Sequence, residues 1–332
     1  MSIIFIKENS GVPKYKQIIA SLEESIVSGK VKKGDKLPSI NSIKFRFSLS
    51  RDTILLAYND LKVRGIIQSI PGKGYYIKRE KIEVSQKIFL LFDELNAFKE
   101  NLYKSFLKKL NPKIEVDIYF HHFNYDVFSK HIYDNIGNYN HYIIMPANLP
   151  DTNLVIDKLP KDKVYILDQT HDELVKYQTI YQNFRKDIKT ALNKCLDKLI
   201  KYNKIVFIFN ENKQPKEMLD GFFDFCSEHN MKNEIISNSD NRELKKGEVY
   251  LIPEDRDLIQ IIKKMKEQQF VIAKDIGIIS YNDTLLKEIV EGGITTISTD
   301  FNEMGEKLAE IIFNKEFSKI ENTNNLIVRN SI

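Results

Sequence analysis

Near the start of the chain, apolar residues recur every three or four positions in three stretches, which is the spacing of amphipathic helices. The inward faces would be formed by Tyr15, Ile18, Ile19, Leu22 and Ile26, by Ile40, Ile43 and Phe47, and by Ile54, Ala57, Tyr58 and Leu61. Ser39 and Ser50 stand before the second and third stretches, where a serine side chain caps free backbone N–H groups. The pattern predicts three short helices in succession.

A hairpin is predicted directly after the third helix. Residues 66–70 and 75–77 are typical of strands, and the Pro-Gly-Lys-Gly turn between them permits a tight bend. Three helices followed by a hairpin predict a winged helix-turn-helix, in which the first turn of the third helix reaches base edges and phosphates. The predicted DNA contacts are Lys36, Ser39, Asn41, Lys44, Arg46, Ser50, Arg51, Asp52, Thr53, Lys73, Gly74 and Tyr75. Taken singly, each has a structural alternative, such as a cap or a turn.

The distribution of charge favours the same interpretation. The first 80 residues hold 15 basic and 7 acidic side chains, a net charge of +8, and the remaining residues hold 35 basic and 39 acidic ones, a net charge of −4. Binding to DNA is driven by neutralisation of phosphates, so positive charge concentrates in the segment that does it.

After residue 86, short apolar runs alternate with longer amphipathic ones. Strands are predicted at 88–92, 116–120, 142–145, 164–167, 205–209, 249–252 and 276–280, and helices at 98–110, 125–136, 188–201, 217–229 and 258–268. Such alternation predicts an α/β fold with parallel sheets in two doubly wound lobes. We expect a DNA-binding domain over residues 1–80, a linker over 81–86, and an effector-binding and dimerisation domain over 87–332.

Residues 13–78 resemble the DNA-binding domain of the GntR family of bacterial transcription regulators. The resemblance rests on Tyr15, Gln17 and Ile18 and on the groups Leu37-Pro38-Ser39, Ser50-Arg51-Asp52-Thr53 and Gly72-Lys73-Gly74-Tyr75. Asn41 and Leu55 stand where the family often has arginines, so its usual operator sequence is not carried over. Lys44 and Arg46 are the substitutes we expect.

The end of the chain resembles a LacI-type sensor domain, which shares its fold with periplasmic sugar-binding proteins. The similar groups are residues 275–283, residues 293–301 and Met304-Gly305, with weaker matches at Met145-Pro146-Ala147, Asp168 and Gly221-Phe222. Met218 stands where that family often places a ligand-contacting arginine. The combination of both domains resembles the architecture of arabinose repressors, which implies a homodimer, a palindromic double-stranded DNA operator and a monosaccharide effector.

Polar and aromatic residues at or just after the predicted strand ends are candidates for the effector site. Carboxylates and amides suit a polyol, because each hydroxyl both donates and accepts hydrogen bonds. The candidates are Phe92, Asp93, Glu94, Asp168, Tyr181, Asn183, Tyr281, Asn282 and Asp283, with Asn282 and Asp283 preferred. The alternative is that these polar residues cap helices or lie in loops.

Other classes of protein fit the sequence less well. It contains none of the common phosphate-loop, nucleophile-elbow or zinc-protease motifs, so we expect no enzyme and no cofactor. The His121-His122 pair is poorly placed for a metal, and Cys195 and Cys226 are typical of buried residues in a reducing cytoplasm. No signal peptide or membrane span is predicted, which favours a cytoplasmic protein. A C-terminal domain that binds a non-sugar metabolite, or that mainly dimerises, is the alternative.

Overall fold

The N-terminal part of the molecule is a small helical unit with a hairpin. The computed structural model describes residues 3–8, 10–80, 86–313 and 317–332. Helices α1 (Lys14–Val27), α2 (Ile40–Phe47) and α3 (Arg51–Val63) precede strands β1 (Ile67–Ile70) and β2 (Gly74–Ile77). The two strands pair antiparallel with Ile70 opposite Gly74. The predicted winged helix-turn-helix is confirmed.

The three predicted apolar faces form the core of this unit. Ile18, Leu22, Ile54, Tyr58 and Leu61 are fully buried, and the remaining members of the three faces are buried or half-buried around them. Burial of these side chains supplies most of the stability of a unit this small. Of the predicted linker, residues 81–85 lie outside the described residues and Gln86 is exposed.

The next part of the chain builds a lobe around a parallel sheet, which we call the N lobe. Its elements are β3 (Lys87–Phe92), α4 (Ala97–Lys109), β4 (Glu115–Phe120), α5 (Tyr125–Asn135), β5 (His141–Ile144), α6 (Thr152–Ile156), β6 (Val164–Asp168) and β7 (Gln178–Tyr181). The central strands β3, β5 and β6 are almost wholly apolar because helices cover both faces of the sheet.

A second lobe, the C lobe, repeats this design. Its elements are α7 (Phe184–Lys194), α8 (Leu196–Leu199), β8 (Lys204–Ile208), α9 (Lys216–Glu228), β9 (Asn233–Ile236), β10 (Glu248–Ile252), α10 (Asp255–Glu267), β11 (Ile276–Tyr281), α11 (Leu285–Ile289) and β12 (Thr295–Thr299). The chain then returns to the N lobe with α12 (Phe301–Phe313) and β13 (Lys319–Glu321), and ends in the C lobe with β14 (Asn324–Ile327).

Within the described ranges, each lobe therefore has a six-stranded sheet. The strand order is β13-β7-β6-β5-β3-β4 in the N lobe and β14-β12-β11-β10-β8-β9 in the C lobe, and every pair is parallel except β12 with β14. The chain crosses between lobes after β7, after β12 and after β13. The carboxyl ends of both sets of parallel strands meet at the resulting cleft, where ligands of open α/β sheets bind.

Two glycines of the predicted motifs allow helices to approach closely. A Cβ atom on Gly305 of α12 would lie 2.3 Å from the carbonyl oxygen of Leu102 in α4. A Cβ atom on Gly221 of α9 would lie 2.3 Å from the carbonyl oxygen of Arg185 in α7. Both distances are far below van der Waals contact, so a larger residue would push these helix pairs apart.

The structure corrects one predicted helix and adds strands that we did not predict. The predicted helix at 188–201 begins earlier, at Phe184, and is broken at Cys195 into α7 and α8. Strands β7, β9, β13 and β14 have only three or four residues each, too few to show a period. Cys195 and Cys226 are free and buried, as predicted. None of the helices in the described ranges is long and apolar enough to cross a membrane.

Candidate functional site

The predicted recognition helix α3 begins with a defined cap. The Ser50 hydroxyl oxygen accepts a hydrogen bond from the Thr53 backbone N–H at 3.1 Å, and Ser39 caps α2 through the Ser42 N–H at 3.1 Å. The Tyr58 hydroxyl donates to the carbonyl oxygen of Pro38 at 2.8 Å, so α3 is fixed against the start of α2. These contacts hold the first turn of α3 at the surface.

Most predicted DNA contacts lie on the exposed surface of the helical unit. Thr53 and Tyr75 are half-buried, and the others are exposed, namely Lys36, Ser39, Asn41, Lys44, Arg46, Ser50, Arg51, Asp52, Lys73 and Gly74. Among the described residues, none of the five cations in that set forms an ion pair, whereas Arg64 at the other end of α3 is bound to Glu23 and Asp60. Cations without internal partners are available for phosphates.

The hairpin presents Lys73 at its tip. Gly72 and Gly74 have φ angles of 73° and 107°, which L side chains rarely adopt, so the turn requires glycine at both positions. The Tyr75 ring contacts the Tyr58 ring with centroids 4.7 Å apart, and the Tyr75 carbonyl accepts from the Leu37 N–H at 2.9 Å. The wing is therefore tied to the helices and moves with them.

The helical unit also contacts the N lobe directly. The Lys16 ammonium donates to the backbone carbonyl of Ile136 at 3.1 Å and to the Asn138 side chain. A cavity of about 470 Å³ lies at this junction, and Arg64 and Lys163 are among its lining residues. These contacts give a physical path between the lobes and the winged unit.

At the cleft, strained backbone marks the ends of several strands. His122, Ala147, Asp168 and Asn282 follow or end β4, β5, β6 and β11, and their φ angles are 49°, 52°, 76° and 58°. Non-glycine residues in this region cost stability and concentrate at ligand sites. Strained backbone therefore occurs at the carboxyl ends of strands in both sheets.

The N-lobe side of the cleft contains a buried charge cluster. Asp93, after β3, is bonded to the Lys99 ammonium, and both side chains are at least 95% buried. Asp168, at the end of β6, accepts from the Gln182 amide. Burial raises the pKa of Asp168, Lys99 opposes that rise and Asp93 adds to it. Lys99 is thus ion-paired with Asp93 and also acts electrostatically on Asp168.

Gln182 connects this floor to the C lobe. Its side-chain oxygen accepts from the Thr299 hydroxyl, and it lies 3.4 Å from the Tyr281 hydroxyl oxygen. Tyr281 is only 4% exposed. Tyr281 and Asp168, which we predicted as separate ligand contacts, are therefore joined through one amide.

Asn183 and Tyr181 lie at the first crossover between lobes. The Asn183 side chain caps α7 through the Lys186 N–H at 3.3 Å and donates to Glu321 at 3.0 Å. The backbone carbonyl of Tyr181 accepts from the Asn322 N–H at 2.8 Å, and its side chain is half-buried. For Asn183 the geometry matches the alternative we left open, a helix cap.

Asp283 and Asn282, which follow β11, differ in whether their side chains have hydrogen-bond partners. Asp283 forms two hydrogen bonds of 2.7 Å with the Arg329 guanidinium, which lowers the pKa of its carboxyl group despite partial burial. The Asn282 side-chain oxygen is buried and has no hydrogen-bond partner within the described residues. Lys287 is buried beneath both, and its ammonium donates to the backbone carbonyls of Tyr281 and Asn282 at 2.8 Å.

Several residues that the sequence reasoning missed bridge the two lobes. The Lys213 ammonium lies 3.8 Å from a Glu94 oxygen of the N lobe and 3.3 Å from a Glu254 oxygen of the C lobe. The Asn148 amide donates to the carbonyl of Gln214 across the cleft at 2.6 Å. Lys213 and Gln214 follow β8 and Glu254 follows β10. A search for polar residues after every predicted strand would therefore have found them.

Two further predictions concern the Phe92 ring as a ligand contact and the His121-His122 pair as a poor metal site. Phe92 is 1% exposed and lies in the core of the N lobe against α4 and α12, so its ring is not at the cleft surface. His121 is fully buried and its Nε2 lies 3.0 Å from the Met145 carbonyl oxygen. No group of three or more potential metal-ligating side chains is found in the described part of the chain.

Comparison with known proteins agrees with both halves of this picture. Residues 14–77 match the model of bacterial regulatory proteins of the gntR family, and residues 200–331 match a periplasmic binding protein-like domain. The HTH-type transcriptional repressor YtrA of Bacillus subtilis (strain 168) is 33% identical over 100 residues, which cover 30% of this chain and 73% of YtrA. The winged helix-turn-helix and this similarity define the class: the chain belongs to the GntR family of bacterial regulatory proteins.

Other relatives match over shorter parts. The arabinose metabolism transcriptional repressor of Geobacillus stearothermophilus is 34% identical over 70 residues, covering 21% of this chain and 19% of that protein. The chain covers only 34% of the length of the repressor MngR of Escherichia coli (strain K12) and 15% of the length of the regulator YcxD of Bacillus subtilis (strain 168). A periplasmic binding protein/LacI transcriptional regulator from Alkaliphilus metalliredigens QYMF, complexed with D-xylulofuranose, has a TM-score of 0.61 at 14% identity, covering 74% of this chain and 99% of that chain. This likeness confirms the two-lobed fold predicted from the LacI-type signature.

Proposed function

We propose that this protein is a transcriptional repressor that binds operator DNA through its winged helix-turn-helix and releases it when a sugar binds between the two lobes. The observation that carries the DNA half is the set of exposed cations, including Arg51 and Lys73, that have no carboxylate partner among the described residues. YtrA and the arabinose metabolism protein are both named as repressors, which supports repression rather than activation.

The interlobe cleft supports the effector half. Polar side chains from the ends of β3, β6 and β11 converge there, and the fold is shared with a regulator whose structure contains D-xylulofuranose. Ligands held between two lobes bias the lobe angle, because they bind the closed arrangement better than the open one. The contacts of Lys16 with Ile136 and Asn138 would pass that change to the winged unit.

We also propose that the chain acts as a homodimer on a palindromic operator. Helix α11 exposes three apolar side chains, Leu285 at 84%, Ile289 at 75% and Leu286 at 48%. A second copy of the chain would cover them and would set the distance between two winged units. Light scattering of the wild type and of Leu285→Asp tests this proposal, and a monomeric wild type at micromolar concentration would contradict it.

Arg51→Ala tests the DNA half. If Arg51 reads a base, its loss should weaken binding to a selected duplex by about 1 to 3 kcal/mol at constant salt. Lys62→Ala, an exposed cation at the far end of the same helix, is the matched control and should leave the affinity nearly unchanged. Equal affinities of the Arg51 variant and the wild type in a gel shift would contradict the assignment.

Asn282→Ala tests the effector half. A panel of pentoses, hexoses and disaccharides is first screened by thermal shift, because a ligand that binds only the folded state raises the melting temperature. For the sugar that binds, Asn282→Ala should cost about 1 to 3 kcal/mol in affinity, since a buried polar partner is lost. Ser42→Ala, in the winged unit, is the control. Normal sugar affinity of the Asn282 variant would remove Asn282 from the site.

A further inference from the structure

The cations at the cleft are already neutralised by carboxylates of the protein itself. Lys99 is bonded to Asp93, Lys213 lies between Glu94 and Glu254, and Arg329 is bonded to Asp283. Lys287 is 2.8 Å from Asp255 and donates to two backbone carbonyls. An anionic ligand that binds one of these four cations would have to compete with its carboxylate partner.

Carboxyl groups also outnumber the cations among the paired groups just named together with Asp168. The acidic groups are Asp93, Glu94, Asp168, Glu254, Asp255 and Asp283, against four cations, Lys99, Lys213, Lys287 and Arg329. A negatively charged group brought among these paired residues would lie close to carboxyl groups as well as to cations, and like charges placed close together are disfavoured.

The buried polar atoms left without partners point the same way. Asn282 Oδ1, after β11, and His121 Nδ1, after β4, have no hydrogen-bond partner among the described residues. Because His121 Nε2 must donate to the Met145 carbonyl, Nδ1 of the neutral ring is an acceptor, and burial lowers the pKa of His121 to about 4, so the ring is neutral at pH 7. Both atoms therefore accept and do not donate. His121 is fully enclosed, so the half-buried Asn282 is the one of the two that lies nearer to a ligand in the cleft.

We propose that the effector is an uncharged polyol, one of whose hydroxyl groups donates to Asn282 Oδ1, and that sugars carrying a phosphate or carboxylate group are excluded. This inference rests on the proposed function, because it assigns the chemistry of the same cleft. A hydroxyl both donates and accepts, so it satisfies Asn282 without displacing a carboxylate. An ionised phosphate offers mainly acceptor oxygens and leaves the Asn282 oxygen unsatisfied.

The test uses matched pairs of ligands with the full-length protein. Glucose and glucose 6-phosphate, ribose and ribose 5-phosphate, trehalose and trehalose 6-phosphate, and galactose and galacturonate are compared by thermal shift and calorimetry. We expect the neutral member of at least one pair to bind at least tenfold more tightly than its anionic partner. Tighter binding of an anionic member overturns this inference but leaves the sugar-effector proposal standing. Binding of no sugar in either form contradicts both.

A second variant tests the charge argument itself. Glu94→Gln combined with Glu254→Gln removes both partners of Lys213 and should raise the affinity for the anionic member of the binding pair at least fivefold. Glu228→Gln, which removes the surface partner of Lys189, is the matched control and should change neither affinity. No gain in the double variant, with an unchanged melting temperature, would show that the carboxylates around Lys213 do not exclude anions.

If an anionic sugar does bind, its position can be found. Lys216 and Arg256 are exposed cations in the first turns of α9 and α10, and neither forms an ion pair within the described ranges. Loss of anion binding in Lys216→Ala or Arg256→Ala would place the anion at the rim of the cleft, and this result would overturn the exclusion we propose.

Discussion

Asp187, in the first turn of α7, is a buried carboxyl group whose replacement should stabilise the protein. Its Oδ2 atom is buried and has no hydrogen-bond partner among the described residues, and the side chain borders a cavity of about 260 Å³ that Glu321 also lines. Burial, and secondarily the negative charge of Glu321, raises the pKa of Asp187 to about 7 from an ordinary value of 3.8. The charged form is therefore disfavoured in the folded state.

The sign of the pH dependence follows from this shift. The folded protein holds the proton of Asp187 more tightly than the unfolded chain does. The contribution of this group to the stability is therefore fully present below about pH 4, falls as the pH rises toward 7, and is constant above that. A shift of about three pH units corresponds to about 4 kcal/mol. Hydration through the adjacent cavity reduces that figure, and we expect about 2 kcal/mol.

Asp187→Asn removes the charge and keeps the shape. At pH 8 the variant should unfold with a free energy about 2 kcal/mol higher than the wild type, or a melting temperature about 4 °C higher, and at pH 4.5 the gain should be about half as large, because the unfolded chain already loses most of its proton there. Calorimetry and urea unfolding at both pH values measure the difference.

Asp224→Asn is the matched control for this experiment. Asp224 is bound to Arg185 at the surface, which lowers the pKa of its carboxyl group, so removal of its charge should bring no gain at pH 8. An Asp187→Asn variant no more stable than the wild type at pH 8, or equally stabilised at both pH values, would refute the reasoning.

Three further outcomes are expected. Lys73→Ala should weaken binding to all DNA sequences and reduce the salt dependence measured in titrations at several ionic strengths, whereas a loss confined to one sequence would contradict a phosphate contact. Lys99→Met should lower the free energy of unfolding in urea by about 3 to 5 kcal/mol, because it leaves the buried Asp93 charge unpaired. Adding Asp93→Asn to the same chain should restore most of the lost stability, and a Lys99→Met variant as stable as the wild type would contradict the ion-pair argument. Asp283→Ala should lower the melting temperature, because Arg329 loses its partner, and effector affinity lost without such a change would favour direct binding instead.

The sequence by itself determined the elements whose signal is local. The helical spacing of Ile54, Ala57, Tyr58 and Leu61, the capping serines and the glycine turn are properties of a few neighbouring residues, and each takes the predicted form. Long apolar runs such as 88–92 likewise predicted buried strands, because helices cover both faces of a parallel sheet. Strand ends then indicated where polar residues would gather.

Only the tertiary structure decided which of those polar residues have free hydrogen-bonding capacity. Asp283 and Arg329 are 46 positions apart, and Lys213 contacts Glu94 of the opposite lobe, so no local pattern connects these partners. The same holds for Phe92, because both faces of β3 are buried and its ring joins the core. The position of a residue at a strand end follows from the order of residues along the chain. The partner of a buried charged or polar group depends on which distant residues the fold brings next to it, because burial of such a group without a partner is costly.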